Sequence, residues 1–204
     1  MDYQTRIIGD YKVVLSVKIG GYEVVLCENR DAPEDEVYLC GYVENNGLFE
    51  SIDDCMVSGS YADIVTVFGE RVAEKGEKVQ KELEDIKRDI GDDRELKKED
   101  CQSITTKDCV KGKVIVLRGR DLRPEYRRMS AQLLFCTGGF GAQGDARGRT
   151  CFARRIYDAG QTQCRREDIL GIIPEEKLPE WAKGKLDAIR KQLAVRSADV
   201  RGDR

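Results

Sequence analysis

Residues 11–29, YKVVLSVKIGGYEVVLCEN, decide the architecture of the first half of this chain. Two runs rich in β-branched residues are separated only by Gly20-Gly21, which is the spacing of a tight β-hairpin. Two further strand-like runs follow, EVYLCGYVE at 36–44 and LFESI at 48–52, and Asn46-Gly47 between them is a turn dipeptide. The pattern predicts an antiparallel meander of three or four strands.

A long amphipathic helix is predicted after the meander. Ser60 followed by Asp63 resembles a capping box at a helix start, and apolar residues then recur at helical spacing on one face. The stripe comprises Val65, Phe68, Val72, Val79, Leu83, Ile86 and Ile90. It is expected to pack on one face of the meander, although its heptad-like continuation also fits a contact with a second copy of the chain.

The second half predicts another antiparallel unit. Strand-like runs lie at 113–118, 131–137, 150–158 and 161–168, and Pro179 suits the first position of a C-terminal helix. The fold class expected is therefore α+β, with two small antiparallel units, the second a sheet or small barrel that contains a glycine loop. The expected domains are an acidic meander plus long helix (1–92), a charged linker (93–110), an arginine-rich β unit plus helix (111–195) and a frayed tail (196–204).

Charge is divided unevenly along the chain. Residues 1–110 hold 14 Lys and Arg against 26 Asp and Glu, whereas residues 111–166 hold 13 against 4, and 11 of those 13 are arginine. Two explanations remain open: the acidic and basic parts pair with each other, or the basic part meets an external anion. Arginine in preference to lysine favours bidentate pairing with a carboxylate or a phosphate.

Histidine is absent, which excludes the commonest general base and metal ligand. None of the eight cysteines forms a C-x2-C pair, so a structural zinc site is not expected, nor is any other metal or cofactor. An enzyme would need other chemistry, for example a thiolate at Cys136 or Cys151 activated by a nearby arginine. No apolar run approaches the roughly 20 residues of a membrane span, so a cytoplasmic protein without a membrane partner is expected.

The loop CTGGFGAQGDARGR, residues 136–149, is the strongest candidate for a binding element. It contains G-x-G-x-x-G but lacks a following helix, which opposes a dinucleotide site. Two interpretations are left. Backbone amides around Gly138, Gly139 and Gly141 could form an anion-binding nest beside Arg147 and Arg149, or the loop could simply join two strands while Phe140 enters the core.

Four segments of the second half carry a resemblance to a known group of proteins. They are the LRPEYR-like turn at 122–128, the TGGFG loop at 137–141, the R-x-D-I-x-G segment at 166–171 and the LPEWA helix start at 178–182. Residues 114–182 resemble an uncharacterised family, a domain of unknown function, encoded on conjugative and other mobile elements of anaerobic gut bacteria. The resemblance implies a genomic setting and no mechanism.

The sequence therefore predicts a non-enzymatic accessory protein whose arginine-rich unit docks an anionic partner, either nucleic acid or an acidic protein. The alternative is a structural protein–protein module that forms a homodimer through the long helix. Beside the glycine loop, the anion-binding residues expected are Arg118, Arg120, Arg127, Arg128, Arg147, Arg149, Arg154 and Arg155. The aromatic residues expected to stack on bases are Tyr126, Phe140 and Tyr157.

Overall fold

The protein contains two five-stranded antiparallel sheets, each covered by a helix, which confirms the α+β class. The computed structural model describes residues 6–45, 49–145 and 147–202, with side chains as far as Val195. The predicted turn at Asn46-Gly47 therefore lies outside the described residues. The chain divides into a first unit, Met1–Asp85, and a second unit, Ile86–Arg204.

The first sheet is the predicted meander with one additional short strand. Its strands lie side by side in chain order: β1 (Ile7–Ile8), β2 (Tyr11–Ile19), β3 (Tyr22–Glu28), β4 (Tyr38–Asn45) and β5 (Glu50–Ser58). Ile19 pairs with Tyr22 across the Gly20-Gly21 turn, as the hairpin signal predicts. The sheet curls so that its edges approach, and Arg6 before β1 donates a hydrogen bond of 2.9 Å to Glu50 on β5.

Helix α1 (Tyr61–Ile90) covers one face of the first sheet. The Asp63 N–H donates to the Ser60 Oγ at 3.3 Å, as expected for the N-cap. Phe68 and Val72 from the predicted stripe pack against the buried Val24 and Leu26 of β3, together with Ile64, which the stripe omitted. The alternate residues of β3 face the interior of the curled sheet, where Val25 and Cys27 are fully buried.

The second sheet contains a strand that the sequence did not predict. The order across the sheet is β10-β6-β7-β8-β9, with β6 (Val114–Leu117), β7 (Leu133–Gly138), β8 (Thr150–Arg155), β9 (Gln161–Arg165) and β10 (Ile169–Ile172). The segment that forms β10, ILGI, shows no polar alternation, so its periodicity alone did not distinguish a strand from a helix start. β10 lies at the edge of the sheet, where it pairs with β6, a strand some 50 residues earlier in the chain.

Both faces of the second sheet are covered, but by different kinds of structure. Helix α3 (Glu180–Gly202) packs Leu186 and Ile189 on one face, against Val114 and Leu133. On the other face, Ile115, Leu134 and Cys136 pack with Val110 and Ala142, which belong to loops, although Ala142 ends a single 3-10 turn (Phe140–Ala142) within its loop. These two loops, residues 102–110 and 139–149, are called the covering loops below.

Residues 93–110, expected as a charged linker, pack into the second unit instead. Leu96 is only 3% exposed, and its N–H donates to the Gln132 Oε1 at 2.7 Å. The buried carboxylate of Asp93 accepts bonds from both the N–H and the Oγ of Ser130, at 2.7 and 2.8 Å. Charge composition cannot reveal partners that lie almost 40 residues away, so the linker interpretation is wrong.

Residues 196–202, which were expected to form a frayed tail, are helical instead, because α3 continues to Gly202. No proline interrupts residues 180–202, and alanine and long polar side chains favour a helix there. Residues 203–204 lie outside the described residues. A short helix, α2 (Met129–Gln132), precedes β7 and supplies the buried Gln132 described above.

Candidate anion-binding groove

An open groove in the second unit brings together basic residues from four separate segments. Its cavity volume is about 660 Å³, within the usual range of ligand sites. We call it the arginine groove, and its lining residues are Lys98, Ser103, Ile104, Thr105, Thr106, Arg118, Arg147, Gly148, Arg149, Arg166, Glu167, Ile169 and Leu170. These residues come from the covering loops, from the chain between the end of β9 and β10, and from two further positions, Lys98 and Arg118.

The groove is strongly cationic. Its lining contains one lysine, four arginines and a single carboxylate, that of Glu167. The Arg149 Nη1 lies 3.5 Å from the Glu167 Oε1, and both side chains are largely exposed, so solvent weakens this ion pair. Three hydroxyl side chains, Ser103, Thr105 and Thr106, add neutral hydrogen-bonding groups beside the positive charges.

Arg166 is the structural centre of the groove. Its guanidinium donates to four backbone carbonyls: those of Gly141 (2.6 Å), Gln143 (3.5 Å), Thr105 (2.8 Å) and Asp108 (2.6 Å). Two of these carbonyls belong to each covering loop, so a single side chain ties both loops together. Arg166 therefore positions the groove wall, whereas Arg118 and Arg147 hold their charge toward the open space.

The glycine loop has the close packing that requires glycine. Gly139 has φ +99, and a Cβ there would lie 2.5 Å from the Thr150 carbonyl oxygen. A Cβ at Gly141 would overlap the Arg149 backbone. Neither residue lines the arginine groove, nor does Gly138, and Gly148 is the glycine of this loop that does. Gly139 and Gly141 allow the loop to pack closely on the Arg149 and Thr150 backbone at the start of β8. The anion-binding nest expected around Gly138, Gly139 and Gly141 stays a prediction.

Only part of the predicted arginine set meets in the groove. Arg118, Arg147 and Arg149 line it, and Arg120 lies beside it in a shallow depression shared with Lys98 and Arg118. The sequence reasoning did not assign Lys98 to the site, because that residue falls in the presumed linker, nor Arg166, which stood out only as the first residue of the R-x-D-I-x-G segment.

The remaining predicted arginines have structural partners. The Nε of Arg127 donates to the Gly119 carbonyl at 3.1 Å, and the Nε of Arg128 donates to the Glu125 carbonyl at 3.2 Å. Arg154 is buried beside the Ala159 carbonyl, and Arg155 pairs with Asp158 at 2.9 Å. These four residues do not line the groove, because strand register and turn geometry direct them elsewhere.

The three predicted stacking residues differ in accessibility. Phe140 is 80% exposed, so the interpretation that it enters the core is wrong. Tyr157 packs edge-on against Trp181 at 6.3 Å, and the Lys185 Nζ lies 3.9 Å from its ring centre. Tyr126 is half-buried in the turn before α2. Phe140 is thus the most open aromatic ring of the three.

The thiols considered as nucleophiles are buried in the second sheet. Burial raises the pKa of Cys136 to about 11, and it also raises that of Cys151, although Arg166 acts in the opposite direction there. Cys164 faces Cys151 across β8 and β9, and burial raises its pKa to about 12. Raised pKa values keep Cys136 and Cys151 as neutral thiols at pH 7, which opposes the thiolate chemistry considered for these two residues.

Metal and membrane signals are absent from the part of the chain that the structure describes. Residues 6–45, 49–145 and 147–202 contain no group of three or more Cys, Asp or Glu side chains placed to hold a metal ion. Within the same residues, no helix combines the length and the apolar character that crossing a bilayer requires. No protein-family model, curated protein or solved structure matches this chain.

Proposed function

We propose that this protein is a non-enzymatic nucleic-acid-binding protein whose arginine groove docks the phosphate backbone. The observation that carries the proposal is the convergence of Lys98, Arg118, Arg147 and Arg149 on one open groove with a single carboxylate. The resemblance to proteins of mobile genetic elements adds the proposal that it acts as an accessory of such an element in the cytoplasm.

Phosphate chemistry fits the side chains of the groove. A guanidinium presents parallel N–H donors that match two phosphate oxygens, and hydroxyl groups commonly donate to phosphate or sugar oxygens. Binding would release the counterions that surround the nucleic acid, which favours association at low salt. The weak, exposed pair between Arg149 and Glu167 costs little to exchange for a phosphate.

The test is fluorescence anisotropy of labelled DNA and RNA with the purified full-length protein, titrated from about 50 to 200 mM salt. We expect micromolar or tighter binding at low salt and a steep loss of affinity as salt rises. Replacing both Arg147 and Arg149 by glutamine should weaken binding and lower the logarithmic salt slope by about one for each lost phosphate contact.

A matched control removes two charges from the same unit but away from the groove. Arg155→Gln combined with Lys191→Gln alters exposed residues of β8 and α3 and should leave the affinity nearly unchanged. Absence of binding at low salt, or equal losses in the two double variants, would contradict the proposal. If the protein does not bind at low salt, light scattering would show whether it is a homodimer, as the alternative of a structural module requires.

A further inference from the structure

Phe140 is 80% exposed, and it belongs to the same covering loop as Arg147 and Arg149. We infer that the arginine groove and Phe140 together bind single-stranded nucleic acid in preference to a duplex. This inference rests on the proposed function, and it adds the form of the nucleic acid and the residue that selects it.

The exposure of Phe140 is imposed by the backbone of the loop. Gly141 and Ala142 are buried beneath it in the same short turn, and the Val110 N–H donates to the Ala142 carbonyl at 2.8 Å. Arg166 holds the Gly141 carbonyl from the other side. The turn therefore cannot rotate to bury the ring without breaking these bonds, so the aromatic face is held outward before any ligand arrives.

The ring also lies beside the groove rather than at a distance from it. A Cβ at Gly148 would overlap the Phe140 Cβ, so the backbone of Gly148 lies directly against this side chain. Gly148 separates Arg147 from Arg149, and all three line the groove. The exposed Phe140 side chain thus lies against the backbone of a residue whose two sequence neighbours are arginines that line the groove.

This combination suits a single strand better than a double helix. Base faces within a duplex are covered by their neighbours, whereas an unpaired base can stack on an aromatic side chain while its phosphates follow a positive groove. The major groove of DNA is entered by a projecting helix or a two-stranded ribbon. The basic residues here line a concave surface formed by loops, which offers no such projection.

The experiment compares three probes of equal length, about 16 nucleotides, with the full-length protein. These are a mixed-sequence single strand, the corresponding duplex and an abasic single strand that keeps the phosphates but lacks bases. We expect the intact single strand to bind at least tenfold more tightly than the duplex. Separate DNA and RNA forms of the single strand show whether the sugar contributes to the preference.

The decisive variant is Phe140→Ala, because the ring is exposed and its removal leaves the core intact. Loss of one stacked base should weaken binding of the intact strand about tenfold and leave binding of the abasic strand unchanged. Phe140→Trp should retain or improve binding. Phe49→Ala removes an exposed ring of the first unit, 63% exposed, and should change neither affinity.

The outcomes separate this inference from the proposed function. If no probe binds, both are wrong. If the duplex binds as tightly as the single strand, or if Phe140→Ala leaves the affinity for the intact strand unchanged, the groove still binds nucleic acid but the preference for an unpaired base is overturned. A selective loss with the intact strand in Phe140→Ala supports the inference.

Discussion

The two sheets are alike in size and in pairing, but they protect their second faces differently. The first sheet curls and fills its own interior with Val25, Cys27 and Leu39. The second sheet relies on two covering loops, which pack Val110 and Ala142 over Ile115 and Leu134. The first unit also holds an open groove, of about 620 Å³, but its lining has three carboxylates and a single lysine, whereas the groove bordered by the covering loops is cationic. The candidate site therefore lies on the second sheet.

Arginine has different roles in the two units as a result. In the first unit, Arg71 reaches from α1 to the carbonyls of Cys40 and Asp54, at 3.1 and 2.6 Å, and Arg6 pairs with Glu23 and Glu50. In the second unit, Arg166 has a comparable tethering role, but Arg118 and Arg147 line open space. Sequence composition does not distinguish these arginines from one another. Arg118 and Arg147 are the ones among them whose charge the groove makes accessible to a ligand.

The largest effect is expected from removing the tie between the covering loops. Arg166→Leu eliminates charge-assisted hydrogen bonds to four carbonyls and should lower the free energy of unfolding of the second unit by about 3 kcal/mol. Urea denaturation monitored by fluorescence of Trp181, the single tryptophan, reports on this unit. The first unit should keep its stability, because all four carbonyls that Arg166 binds belong to the second unit.

The control for this change is Arg165→Leu, at the exposed neighbouring position on β9. It should alter the same free energy by less than about 0.5 kcal/mol. Equal losses in the two variants would show that the covering loops do not depend on Arg166, and the proposed difference between the two sheets would fail.

An intermediate effect is expected within the glycine loop. Gly139→Ala places a Cβ against the Thr150 carbonyl at a residue with φ +99, and it should cost about 2 kcal/mol of unfolding free energy. Gly138→Ala is the matched control, because a Cβ there meets no atom within 4 Å and its φ is not positive. Thermal denaturation of the two variants distinguishes a required glycine from a replaceable one, and equal melting temperatures would contradict the tight fold of this loop.

The smallest effect concerns the segment that joins α1 to the second sheet. Arg94 donates to Asp100 at 2.5 Å, and this hydrogen bond holds the pKa of Asp100 at about 2. Because the folded pKa lies below the unfolded value of about 3.9, the stabilisation is present above pH 4 and is lost as the pH falls toward 2. The Arg94 side chain is about half exposed, so solvent weakens the pair, and Asp100→Asn should cost less than about 1 kcal/mol at pH 7.

The pH dependence provides the check on that small effect. The difference in unfolding free energy between wild type and Asp100→Asn should be measurable at pH 7, should shrink as the pH falls below 4, and should be largely lost near pH 2, where the Asp100 carboxylate is becoming protonated in the folded protein. Glu99→Gln, at an exposed position in the same turn, serves as the control. A difference that does not decline between pH 4 and pH 2 would assign the effect to the amide substitution rather than to the ion pair.

Much of the fold could be predicted because its signals are local. The Gly20-Gly21 hairpin, the Ser60 cap and the stripe of α1 each depend on residues within a few positions of one another. The sequence-based predictions were wrong where the local pattern did not reflect contacts with residues far along the chain. Strand β10 has no alternating pattern, and residues 93–110 appear solvated in sequence although Asp93 and Leu96 are bound by partners in α2.

The candidate site was predicted less completely than the fold, for a related reason. Arg147 and Arg149 stood out because they follow a run of glycines, but Arg154 and Arg155 were equally prominent and are held by Ala159 and Asp158. Lys98 gave no signal at all. Whether an arginine is bound within the protein or is left to face a ligand depends on which carbonyl or carboxylate lies near it. Those neighbours are set by the strand register, which the local sequence does not reveal.

The sequence by itself determined the α+β class, both hairpin-rich halves, the long helix and the concentration of arginine after residue 110, because periodicity, turn residues and charge are short-range properties. Only the tertiary structure decided that Lys98, Arg118, Arg147 and Arg166 meet around one groove, and that Phe140 points outward beside it. These residues are brought together by the pairing of β10 with β6 and by the packing of two loops on one sheet face. Such long-range contacts are selected by burial of the whole core, so no local segment encodes them.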